Sequence, residues 1–103
     1  MPFYQMSFFK FKPDADPALI QEWLAISKTM PEKIPCVRSL VAGRPAGQFK
    51  HLAKGWDVAA CIELDNAESP KEFQEHPEHV RPRELSAQIC DRNETVSIMF
   101  EVE

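Results

Sequence analysis

Residues 3–12 read Phe-Tyr-Gln-Met-Ser-Phe-Phe-Lys-Phe-Lys, a run so dense in aromatics that it specifies a β-strand. Side chains alternate across a strand. Phe3, Gln5, Ser7, Phe9 and Phe11 therefore share one face, and Tyr4, Met6 and Phe8, followed by Lys10 and Lys12, share the other. Both faces are largely apolar. An antiparallel strand with one wet face alternates more cleanly, so the sheet that holds this strand is covered on both sides.

Working outward, Asp16 is an N-cap and Pro17 a first helical residue. Leu19, Ile20, Trp23, Leu24 and residues 26–30 then carry an apolar stripe at helical spacing, and Pro31 ends it. Residues 31–35 form a turn between two prolines. A second strand runs from about Cys36 to Arg44, where Gly43 and Arg44-Pro45-Ala46-Gly47 end it, and residues 45–54 form a polar loop. A third strand, Gly55 to Leu64, places Trp56, Val58, Ala60, Ile62 and Leu64 on one face.

Ser69-Pro70-Lys71-Glu72 reads as a capping box. Pro77 and Pro82 fit the first turn of a helix but not its interior, so this helical region is broken into about 69–75, 77–81 and 82–90. A fourth strand, Glu94 to Val102, puts Val96, Ile98, Phe100 and Val102 on one face and Thr95, Ser97, Met99 and Glu101 on the other. The order β-α-β-β-α-β specifies an α+β, ferredoxin-like fold with a four-stranded antiparallel sheet and its helices on one face. The apolar side chains of the other face need a partner. A second copy packed sheet to sheet supplies it, which predicts an isologous homodimer through the open sheet face, a dimeric α+β barrel.

The chain has 103 residues, the size of one domain spanning 1–103, with 44% hydrophobic and 27% charged residues. Its net charge of −4 and the absence of a basic block argue against nucleic acid as a partner. No apolar run is long enough to cross a bilayer, and residues 1–9 do not read as a signal peptide, so no membrane partner is expected. Cys36, Cys61 and Cys90 are odd in number and widely spaced, which fits reduced thiols in a cytoplasmic protein. His76 and His79 are three residues apart, but Pro77 intervenes and no third ligand is near, so no metal site is expected. No phosphate loop, Ser-His-Asp arrangement or paired-carboxylate motif is present.

Several side chains invite a chemical role. A neutral imidazole at His79 can take or give a proton near neutral pH; the alternative is that His76 and His79 serve the turn as caps. Asp57, Tyr4 or a backbone carbonyl are the candidates to orient His79. Gln5 and Ser7 interrupt an aromatic strand face, so they either bind a ligand or pair with each other or with water. Phe9, Trp23 and Trp56 either line an apolar substrate pocket or form plain core. His51 reads as a solvated loop residue, and Arg44 as a surface ion-pair partner that could also meet a substrate carboxylate.

Four segments together are familiar. Phe8-Phe9-Lys10-Phe11-Lys12-Pro13-Asp14, Met30-Pro31-Glu32-Lys33-Ile34-Pro35, Lys54-Gly55-Trp56-Asp57 and His76-Pro77-Glu78-His79-Val80 resemble, in order and spacing, the stress-responsive α/β-barrel (Dabb) family, including its olivetolic acid cyclase-like members. The likeness covers the whole chain. It implies the dimeric barrel and, from the plant cyclase, a general base at His79. The tyrosine that orients that base is Phe73 here, two further pocket histidines are Gln5 and Val58, a pocket tyrosine is Ser27, and a bulky pocket aromatic is Trp23. His76 opens the same turn and joins the candidate pocket residues. The implied activity is that of a small enzyme of secondary metabolism that needs no cofactor. It would bind a small-molecule substrate, polyketide-like or another reactive carbonyl compound, and catalyse cyclisation, isomerisation or elimination. The alternative is a non-catalytic, stress-responsive binding or structural protein.

Overall fold

The computed structural model describes residues 2–102. Strands β1 (Phe3–Phe9), β2 (Val37–Gly43), β3 (Val58–Leu64) and β4 (Val96–Glu101) form one sheet in the order β2-β3-β1-β4, with every neighbouring pair antiparallel. Helices α1 (Pro17–Ser27), α2 (Met30–Lys33), α3 (Ser69–Glu75) and α4 (Val80–Ile89) complete the ferredoxin-like α+β fold expected from the sequence. Among the described residues no helix is long and apolar enough to cross a membrane.

Local chemistry sets the element ends. Asp16 Oδ1 accepts from the Ala18 amide at 2.9 Å and Pro17 opens α1, as its cap sequence dictates. The helix stops three residues before the expected end. Thr29 turns back on it, its amide and its hydroxyl both donating to the Ile26 carbonyl. Pro31 therefore does not terminate a long helix. It sits in the first turn of α2, where its missing N–H costs nothing.

The expected loop at 45–54 contains a 3-10 helix, Gly47–Ala53. Ser69 is not a capping-box residue: its hydroxyl turns back to Asn66, accepting that residue's amide and donating to its side-chain oxygen. The break expected after Glu75 is present as a 3-10 turn, Pro77–His79, followed directly by α4. Pro82 lies in the first turn of α4, so the helix passes through it without a second break.

Two clusters of buried side chains lie between sheet and helices. Met30, Ile34, Cys36, Val37, Ile62, Leu64 and Phe73 form one. Ile20, Trp23, Val58, Leu85, Ile89 and Cys90 form the other. Arg81 at the start of α4 makes two hydrogen bonds, of 2.8 and 3.0 Å, to the Glu22 carboxylate on α1 and draws the two helices together. The guanidinium holds the Glu22 carboxyl below the usual carboxylate range.

All three cysteines are free; Cys36 and Cys90 are buried, and Cys61 is partly so. Burial, helped by the Glu72 and Asp65 carboxylates, pushes the Cys36 thiol up to about 11, which leaves it protonated and unreactive.

The opposite sheet face is apolar and open. Tyr4, Met6 and Phe8 of β1 sit beside Phe100, Ile98 and Val96 of β4, with Tyr4 and Phe100 stacked at 5.7 Å between centroids. Val41 and Ile98 are 67% and 54% exposed. A groove of about 630 Å3 beside this face is lined by Phe8, Phe49, Leu52 and Trp56.

Leu85 is fully buried between the helices and the sheet. Leu85→Ala should cost about 2–5 kcal/mol, read as a lower urea midpoint at unchanged slope. A loss below about 1 kcal/mol would contradict this placement.

Candidate functional site

The register of the sheet opens a space under the helices. Ala42 lies opposite Ala60, Ala60 opposite Ser7, and Ser7 opposite Ser97, so one row of small side chains crosses all four strands. The row before it holds Phe9 and Val58; the row after it holds Leu40, Ile62, Gln5 and Met99. Large side chains thus flank a row of small ones, and the helices cannot collapse onto it. A cavity of about 220 Å3 results, lined by the whole small row and by Trp23, Ser27, Met30, Phe73, Gln74, His79, Pro82, Arg83, Ser86, Arg92 and Thr95, among others. It touches both core clusters. Its volume is below the ~300–1,000 Å3 of pockets for drug-sized ligands, so it suits a small occupant.

His79 is the titratable group in this wall best suited to proton transfer. It ends the 3-10 turn and caps α4, held by its amide donating to the His76 carbonyl at 2.9 Å. The Phe73 ring packs on the imidazole at 4.5 Å between centroids. Nδ1 is shielded from solvent and has no hydrogen-bond partner among the described residues. Burial, and then the positive charge of Arg83, lower its proton affinity, while the Gln74 carbonyl opposes them. Both effects favour the neutral imidazole over the charged one.

The polar groups of the floor are chained together. Gln5 Nε2 donates to Ser7 Oγ at 3.2 Å, and Ser7 Oγ is 2.9 Å from Ser97 Oγ. This is the mutual pairing that the strand pattern left open. It leaves Gln5 Oε1 buried without a donor. Ser27 spends its hydroxyl proton on the Trp23 carbonyl at 2.9 Å, leaving oxygen lone pairs. Phe9 and Trp23 meet edge to face at 4.9 Å and form an aromatic wall.

The structure brings most of the candidate residues to this one cavity. His79, Gln5, Ser7 and Phe9 line it, as do Trp23, Ser27, Val58 and Phe73. Two candidates lie elsewhere. Trp56 does not join Val58 on the helix face, because Lys54 and Gly55 both take positive φ, 54° and 89°, and turn the chain before β3 begins. Its ring packs at the open face, 6.4 Å from Phe8 and under the Lys10 ammonium at 4.5 Å. His76 is outside the lining, because its Nδ1 accepts the Glu78 amide at 3.1 Å and caps the turn. Asp57 does not orient His79; its Oδ2 accepts the Phe11 amide at 2.7 Å. Tyr4 points to the open face. Arg44 makes a cation–π contact with Phe11 instead of an ion pair.

Sequence reasoning missed Arg83, Ser86, Arg92, Gln74, Thr95 and Ser97. Arg83 and Ser86 follow His79 by four and seven residues, the spacing of one helix face, and that signal was present in the sequence. Ser97 needed the register of β4 against β1. Arg92 lies in the turn after α4 and has no periodic signal.

The sequence profile of the stress responsive A/B barrel domain matches residues 3–102. Solved structures share the fold over nearly the whole chain. A dimeric ferredoxin-like protein of unknown function from Bacteroides fragilis is 20% identical, with a TM-score of 0.81 over 98% of this chain and 96% of that one. A protein from Arabidopsis thaliana is 17% identical, with a TM-score of 0.80 over 98% and 95%. A hydroxynitrile lyase from Passiflora edulis is 13% identical, with a TM-score of 0.82 over 99% and 94%. No curated protein matches the sequence.

The His79 environment has a pH signature. In the unfolded chain its pKa is about the ordinary 6.5, and in the folded protein it is lower. Above 6.5 the ring is neutral in both states and its burial carries no proton penalty. As pH falls below 6.5 the unfolded chain binds the proton first, so the folded state loses stability until the pH passes the folded pKa. The His79 ring resonances should titrate with a midpoint below 6.5, and Arg83→Gln should raise that midpoint. A midpoint at or above 6.5 in the wild-type protein would contradict the site as described.

Proposed function

Because the chain belongs to the stress responsive A/B barrel domain family, we propose that it is a small enzyme of that family using His79 as general acid/base on a reactive carbonyl compound. The observation that carries this reading is an imidazole of lowered proton affinity, its Nδ1 unpartnered among the described residues, in the wall of a cavity floored by Gln5, Ser7 and Ser97. A base with a lowered pKa is mostly unprotonated at neutral pH and is in the form that accepts a proton. Such a base can remove the proton next to a carbonyl. The negative charge then developing on the carbonyl oxygen needs a donor, and the Gln5 amide and the Ser7–Ser97 hydroxyl pair are the groups available to give one.

The same proton-transfer step begins a cyclisation, an isomerisation or an elimination. A short polyketide-like substrate would be held for ring closure against the Phe9–Trp23 wall. The hydroxynitrile lyase from Passiflora edulis is a protein of this fold whose name describes a lyase, which supports proton-transfer chemistry as something the architecture permits. Each step needs only side chains already in the wall, so the reaction requires no cofactor. The cavity also counts against the purely structural alternative, in which the space between sheet and helices would be filled.

The protein acts as a homodimer through the open sheet face. The stacked Tyr4 and Phe100 with the exposed Val41 and Ile98 form a continuous apolar surface that a second copy would cover. The Bacteroides fragilis protein of this fold is described as dimeric, which is in keeping with that arrangement. Light scattering should give a dimer for the wild-type chain and a monomer for Ile98→Lys. A wild-type monomer would remove this part of the proposal.

Proton abstraction can be measured without knowing the natural substrate. The protein should speed deuterium exchange at the methyl group of acetophenone in D2O, followed by 1H NMR. His79→Gln should reduce that acceleration by about a hundredfold while leaving the thermal midpoint nearly unchanged. Equal exchange rates for the two proteins would sink the catalytic role.

A further inference from the structure

The charge of the cavity is opposite to that of the protein. The chain has 16 Asp and Glu residues against 12 Lys and Arg, yet no Asp or Glu lines the cavity, while Arg83 and Arg92 both do. The ion pairs formed among the described residues use Lys10, Lys33, Arg38 and Arg81 instead. Arg83 donates one of its NH groups to the Gln74 carbonyl and keeps further donors.

Both guanidiniums are exposed and neither pairs with a carboxylate among the described residues, so both keep donors for an anion at this site. A carboxylate is the natural complement of a guanidinium, through two parallel N–H to O bonds. From these observations we infer that the occupant of the cavity is a small carboxylate with an apolar body, its anionic end at Arg83 and Arg92 and its body against Phe9 and Trp23.

One further fact fits. After burial, the positive charge of Arg83 lowers the proton affinity of His79 in the same wall, in keeping with a site that favours negative charge. The inference rests on the cavity being the substrate site and specifies which class of compound enters it.

The test uses a matched pair of probes, 3-phenylpropanoate and its uncharged primary amide, each titrated into the full chain and followed by 1H–15N NMR. The carboxylate should shift the amides of residues around the cavity and bind about tenfold more tightly than the amide or better, as a charged hydrogen bond allows. Arg83→Gln and Arg92→Gln should each weaken carboxylate binding several-fold and leave the amide unchanged. Because Arg83 also ties down Gln74, the exposed Arg92 provides the independent variant. Equal affinity for the two probes would overturn the charge inference and leave the acetophenone-exchange reading standing. A carboxylate preference that survives both substitutions would overturn it too, as would the absence of any shift at the cavity at millimolar carboxylate. If acetophenone exchange fails while the carboxylate preference holds, the cavity is an acid-binding site without the proposed catalysis.

Discussion

The row Ala42–Ala60–Ser7–Ser97 is the constraint on which the rest of the site depends. A sheet packed under helices ordinarily closes to native density, because every buried gap forfeits dispersion contacts. Here four small side chains lie in line while the rows beside them carry Phe9, Val58, Leu40 and Ile62. The large rows set the distance between sheet and helices, and the small row cannot fill it. The resulting space separates the core into two clusters and places polar groups of β1 and β4 at its floor.

That space determines the chemistry available to His79. The 3-10 turn Pro77–His79 fixes the backbone, and His76 spends its own imidazole on closing the turn. His79 is thereby delivered to the wall half-buried, with its ring against Phe73 and its Nδ1 shielded. Burial and Arg83 act in the same direction on its proton affinity, and together they outweigh the Gln74 carbonyl. Nδ1 of His79 is left without a partner among the described residues, whereas Nδ1 of His76 is spent on closing the turn.

Much of this was legible in the sequence, for identifiable reasons. The aromatic strand Phe3–Phe9 and the alternation of Val58, Ala60, Ile62 and Leu64 specified both the sheet and its buried face. The pairing of Gln5 and Ser7 with the cavity followed from two polar side chains on an otherwise apolar strand face. Trp56 misled because alternation was extended two residues past the true start of β3, across a turn with two positive φ values. Pro31 misled because a proline that cannot extend one helix can equally begin another. The small row itself needs the register of three strand pairs, which no single stretch of sequence contains, and Arg92 reaches the site only through the tertiary fold.

The central claim is that the space over this row is a carbonyl-binding site served by His79. It is tested most directly by a crystal structure of the protein grown with acetophenone. The account predicts the ketone between Phe9, Trp23 and His79, its oxygen within hydrogen-bond distance of Gln5 or Ser7 and its methyl group facing the imidazole. A filled or collapsed space over Ala60 and Ser7, with the His79 ring turned to backbone or solvent, would contradict it.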